Sequence, residues 1–162
     1  MKNKLLSFLL LLALTLSALT PVSHVQATGS AGTWQSLQLG VSDFVNAMVM
    51  DGGNLYVGGS FIQICGNTAC NSGNTRVNNI AMWNGSSWQK MGFGFNGSVY
   101  ALTVSNGTIY AGGLFNRICF NESCSSFTTA NNLAKWNGAS WSGVGNGVNS
   151  YIFALAANGN NV

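Results

Sequence analysis

Two cysteine pairs are the residues best equipped for chemistry in this chain. Cys65-Gly-Asn-Thr-Ala-Cys70 and Cys119-Phe-Asn-Glu-Ser-Cys124 each hold four residues between their thiols. Four thiolates drawn together could bind zinc, whose structural sites space cysteines by about two to four residues. The same residues could form disulfides, in any of three connectivities. Acid–base chemistry has less to draw on, because it needs a usefully titrating group or carboxylates held close together. The single histidine, His24, lies near the N-terminus, and the three acids Asp43, Asp51 and Glu122 are scattered. A glycosidase would need two carboxylates facing one another across a cleft. Asp51 precedes Gly52-Gly53 and reads more simply as a turn former. The pairs Gly58-Gly59 and Gly112-Gly113 are not phosphate loops, since neither is followed by lysine and a helix. The sequence therefore predicts no catalytic residue, no cofactor and no metal, and reads the protein as a non-enzyme.

The elements that carry these residues repeat. Leu55-Tyr-Val-Gly-Gly-Ser-Phe61 returns as Ile109-Tyr-Ala-Gly-Gly-Leu-Phe115, about 54 residues on. Asn78-Asn-Ile-Ala-Met-Trp-Asn-Gly-Ser-Ser-Trp88 returns as Asn131-Asn-Leu-Ala-Lys-Trp-Asn-Gly-Ala-Ser-Trp141. A fixed period in this range marks a repeat architecture. Each repeat reads as four short strands. The first covers residues 45–50 and 99–104, apolar enough to be buried on both sides. Asp51-Gly-Gly-Asn54 and Asn106-Gly107 then supply tight-turn residues, and the second strand covers 55–61 and 109–115. Its Gly-Gly pair, lacking Cβ, suits a bulge or a close backbone approach. A long loop holding the cysteines follows at 62–78 and 116–130. The third strand, 79–83 and 132–136, turns through Asn84-Gly85 and Asn137-Gly138 into a fourth, 87–92 and 140–144. Two apolar runs joined by Asn-Gly are the strongest short-range hairpin signal.

Four antiparallel strands per roughly 50 residues is the module of a β-propeller blade. The glycine dyad after an apolar strand, with tryptophan later in the unit, resembles kelch-type repeats, which share this period. The closer resemblance is to extracellular bacterial propeller repeats and fungal cortical-marker repeats of the form Tyr-Val/Ala-Gly-Gly-x-Phe plus Asn-Ile/Leu-Ala-x-Trp-Asn-Gly-x-Ser-Trp. It runs from Trp34 to the C-terminus and departs from standard kelch in Tyr56 and Tyr110 and in tryptophans five apart. The resemblance implies an all-β fold of propeller blades: residues 45–92 and 99–145 as two units, 33–39 as the fourth strand of a preceding one, and 151–162 as the start of another. Two and a half units do not close a ring of about four to eight blades. The sequence on that reading is a fragment, or a chain that completes its ring by self-association. Copper-radical oxidases share this kelch-like fold but hold their metal with Tyr and His, which excludes their chemistry from the segment.

Residues 1–27 read as a secretory signal peptide. Lys2 and Lys4 precede an apolar stretch from Leu5 to Leu19, and Val25-Gln-Ala27 places small residues at a cleavage site before Thr28. The apolar run is short for a spanning helix and is closed by Pro21, so no membrane span is expected after cleavage. His24 leaves with the leader. Four cations (Arg76, Lys90, Arg117, Lys135) then face the three acids, a net charge of +1. That balance lacks the basic stripe of nucleic-acid binding. Residues 28–162 contain all 21 Gly, all five Trp and eight of the nine Phe, largely in a periodic arrangement, which argues for a folded chain despite its glycine. Export to an oxidising compartment and identical placement favour Cys65–Cys70 and Cys119–Cys124 disulfides over a thiolate metal site.

Trp83, Trp88, Trp136 and Trp141 could stack on sugars, but their recurrence at the same two positions in each unit favours packing between blades. The expected function is a secreted or cell-surface, non-catalytic binding or adhesion scaffold, its partner an extracellular protein or glycan met at the loops 62–77 and 116–130. The alternatives are the propeller portion of a secreted carbohydrate-active enzyme with its catalytic residues elsewhere, and a lectin-like module.

Overall fold

The computed structural model describes residues 36–162, which fall within one compact unit spanning residues 35–162. The expected signal peptide, 1–27, lies outside the described residues. Twelve strands and no helix occur among those that are described.

Alternation of apolar residues with tight Asn and Gly turns folds each repeat into one antiparallel sheet. In the first, β1 (Val45–Asp51) turns through Gly52-Gly53 into β2 (Asn54–Gly59). Both glycines take positive φ, +54° and +83°, in the left-handed region that favours glycine. The loop that follows is not structureless. It contains the two-residue strands β3 (Gln63–Ile64) and β4 (Thr75–Arg76), paired antiparallel. The chain then returns along β2 as β5 (Ile80–Trp83) and closes the sheet with β6 (Trp88–Lys90), giving the order β1-β2-β5-β6.

The second repeat repeats the plan. β7 (Val99–Ser105) and β8 (Thr108–Gly113) form the hairpin, and β9 (Arg117–Cys119) and β10 (Phe127–Thr129) pair within the loop. β11 (Leu133–Trp136) and β12 (Trp141–Gly143) complete a sheet ordered β7-β8-β11-β12. Even the irregularities match. β1 shifts register between Val45 and Ala47, and β7 between Val99 and Ala101, each opposite the Gly-Gly pair of its partner strand.

The two sheets stack face to face through β1, β2 and β7. Tyr56, Ile80 and Met91 from the first meet Phe95, Val99, Ile109, Ala111 and Trp141 from the second in the larger core. A smaller core of Val57, Phe61, Ile64, Val77 and Ala81 lies on the other side of the first sheet. Gly58 explains why the sheets come so close: a Cβ there would run into the Val99 side chain. Among the described residues the sheets do not close into a barrel or ring.

Four strand expectations are corrected. Residues 45–50 are not buried on both sides: β1 is the outer strand of its sheet, and Val45, Met48 and Met50 are exposed. The fourth strands stop at Lys90 and Gly143, short of 92 and 144, because Gly92 (φ +64°) and Gly145 (φ +54°) turn the chain away. Residues 36–39, the described part of the strand expected at 33–39, form no strand and run into a turn of their own, with Gln38 at φ +59°. Residues 151–157 form no strand. They lie on the second sheet with Ile152 and Leu155 over Gly112, where Val99 and Leu102 lie over Gly58, but no described strand pairs with them.

Candidate functional site

The cysteine loops are built alike from local hydrogen bonds. Cys65 is bonded to Cys70 and Cys119 to Cys124, each with a Cα–Cα separation of 4.6 Å. Both bonds close within their own loop, so no thiolate remains for the four-cysteine metal alternative. Cys70 and Cys124 adopt positive φ, 52° and 56°, and each donates its N–H to the carbonyl of an Asn three residues earlier, Asn67 or Asn121. The side-chain oxygens of the same asparagines accept the Asn71 and Ser125 amides. A short disulfide and one asparagine therefore set the loop shape without a core of its own.

The loops are also anchored alike. The Cys65 amide donates to Gly40 O and the Cys119 amide to Gly94 O, and Val41 bridges Ile64 as Phe95 bridges Ile118. The second loop then leans on the first repeat. Asn78 Nδ2 donates to Glu122 O at 3.2 Å, and Lys90 Nζ lies 3.5 Å from Glu122 Oε1. The two loops thus belong to one edge of the molecule.

That edge carries exposed rings and cations. Phe120 is 53% exposed and Phe127 41%. The Arg117 guanidinium lies 4.0 Å from the Phe127 ring centroid, and Lys90 Nζ 4.7 Å from that of Phe93. A cation over a ring face is attracted to it electrostatically. Flat apolar area with a few donors is the chemistry of a recognition surface.

The acids do not converge. Asp43 accepts the adjacent Phe44 amide, Asp51 sits opposite Asn54 across a hairpin turn, and Glu122 faces Lys90. No group of three His, Cys, Asp or Glu residues that could hold a metal occurs among the described residues. The tryptophans serve as packing walls. Trp141, 6% exposed, donates Nε1–H to Met91 O at 2.9 Å, and Trp88 donates to Leu37 O at 2.8 Å. Trp83 packs on Trp88 at 5.6 Å and Trp136 on Trp141 at 5.4 Å.

One feature had no counterpart among the sequence expectations. An open cleft of about 430 Å³ lies at the start of the second sheet, lined by Ser98, Leu114, three asparagines (Asn96, Asn116, Asn132) and Tyr151. Asn96 is held by Asn116 and by the amides of Asn116 and Arg117. Of its lining, Asn132 reads in the sequence only as part of the repeated Asn-Asn pair, and Asn96 only as part of an Asn-Gly turn.

Comparison with known proteins finds no matching family model, no matching curated protein and no matching solved structure.

Proposed function

We propose that this protein is a secreted or cell-surface, non-catalytic binding scaffold made of kelch-like β-propeller blades, meeting an extracellular protein or glycan at its cysteine-loop edge. The observation that carries the reading is the loop pair itself. Two loops stapled by equivalent disulfides lie on a stacked-sheet support, and the second of them presents Phe120, Phe127 and Arg117. Rigid aromatic area bound to an ordered framework binds with little loss of side-chain freedom. The propeller part of the reading is supported by two equivalent four-stranded sheets stacked one repeat apart. The disulfides support an oxidising destination.

The test is binding of the full chain to arrays of extracellular proteins and glycans, beside a Phe120→Ala/Phe127→Ala variant. The reading expects binding that the double variant loses while its thermal melt is kept. Binding indifferent to the loop variant would move the function elsewhere, and turnover of a substrate would overturn the non-catalytic assignment. A lectin-like reading is favoured by the cleft, whose asparagine amides and Tyr151 ring are suited to sugar hydroxyls and the apolar face of a pyranose. On that reading glycan binding falls in Asn116→Ala and Tyr151→Ala instead.

A further inference from the structure

We infer that each disulfide is a thiol-exchange site of fixed polarity: an external thiolate attacks Cys70 Sγ or Cys124 Sγ, and Cys65 or Cys119 is the sulfur that leaves. The inference rests on burial and anchoring within the two loops and is independent of what the loop edge binds.

The two ends of each bond lie in different surroundings. Cys65 is 9% exposed and Cys119 2%, whereas Cys70 and Cys124 are half-buried. The inner cysteines also belong to the framework. Cys119 closes β9 opposite Phe127, follows the buried Ile118, and donates its amide to Gly94 O at 2.9 Å. Cys65 follows the buried Ile64 and donates to Gly40 O at 3.0 Å. The outer cysteines are held only by their own turns. Their amides bond to Asn67 O and Asn121 O, three residues back. The side chains around them are polar and bond to one another: Asn67 to Asn71 and Ser72 in the first loop, Asn121 and Ser123 to Ser125 in the second. The polarity is the same in both loops although their neighbours differ. Glu122 ties the second loop to Asn78 and Lys90, where the first loop has Thr68.

Thiolate attack on a disulfide runs through a mixed disulfide, and access decides which sulfur is struck. The attacking sulfur approaches in line with the S–S bond, so it needs solvent on the far side of its target. The outer cysteines meet that need and the buried ones do not. In the second loop a bond forms from the external sulfur to Cys124 Sγ, the Cys119–Cys124 bond breaks, and its electron pair passes to Cys119 Sγ, which takes a proton from water. A second external thiolate then attacks the sulfur of the first. It forms the external disulfide and releases Cys124 as thiolate, so the pair is reduced and two external thiols are oxidised. The freed Cys119 thiol behaves as a small apolar group, which suits its buried place.

The probe is reduced glutathione in excess over the full disulfide-bonded chain. The reaction is quenched with acid, free thiols are capped with a maleimide, and peptides are mapped by mass spectrometry. Glutathione is expected on Cys70 and Cys124 and the maleimide on Cys65 and Cys119, the outer adducts exceeding the inner by about tenfold, as competing rates set by access would give. Two variants check the same polarity from the thiol side. The lone Cys124 of Cys119→Ser should take up the maleimide about tenfold faster than the lone Cys119 of Cys124→Ser. The adduct map needs no variant, so it decides the matter even where a substitution unfolds the loop. The assignment is overturned by glutathione chiefly on Cys65 or Cys119, by equal division between inner and outer sulfurs, by no adduct at all, or by equal thiol reactivity in two variants whose melts match the parent chain.

Discussion

Glycine at the second position of the dyad is among the most constrained choices in either repeat. Gly113 lies against Ser98 O and Gly59 against Phe44 O, so Gly113→Ala must push a strand aside. Such overpacking costs about 1–3 kcal/mol, to be read as a lower midpoint in urea unfolding. Gly53→Ala is a useful contrast. Nothing lies within 4 Å of a Cβ there, and only the positive φ of +83° opposes it, so a penalty of about 1 kcal/mol is expected. The sequence announced that the dyad marks a close backbone approach, but not what approaches, because the carbonyl comes from a residue 15 positions earlier that has no distinctive side chain. The Asn-Asn pairs were less legible still. Asn78, Asn79, Asn131 and Asn132 all take positive φ, and their amide nitrogens bind the carbonyls of Phe93, Phe95, Asn146 and Val148. Asparagine suits both tasks, since it tolerates the left-handed region and carries a donor. In sequence it signals only a turn.

At the scale of elements, the eight strands of the two four-stranded sheets were readable because a repeated apolar run and an Asn-Gly turn are signals in the sequence itself. The loop strands β3, β4, β9 and β10 were not, since two or three residues without an Asn-Gly turn between them carry no local signal, and 151–157 failed as a strand because pairing depends on a partner and not on its own residues. The loops they frame are held by their disulfides. Replacing Cys119 and Cys124 together by serine should cost about 2 kcal/mol, the chain-entropy value for so short a ring, and should raise amide exchange in 117–129 while leaving β7 and β8 protected. The tryptophan pegs can be compared across repeats. Trp141→Phe removes a donor from buried Met91 O and should cost about 1–3 kcal/mol. Trp88→Phe frees the better-exposed Leu37 O and should cost less in the same denaturation series.

For the whole molecule, the stack has dissimilar ends. Met48 and Met50 are 65% and 59% exposed on β1, while their counterparts Leu102 and Val104 pack into the core between the sheets. An apolar face of that kind promotes association. Sedimentation velocity on the full chain should show mass rising with concentration, and Met48→Glu/Met50→Glu should suppress the rise; a monomer at every concentration would count against it. The way the disulfides close has a consequence for manufacture and for descent. Each bond joins cysteines five residues apart, and neither reaches into the other repeat. In a chain that meets an oxidising compartment N-terminus first, the first pair can close before the second arrives, which disfavours cross-pairing. By the same token, a gene could gain or lose one repeat without orphaning a thiol, so the length of such a protein can drift while its covalent chemistry stays correct.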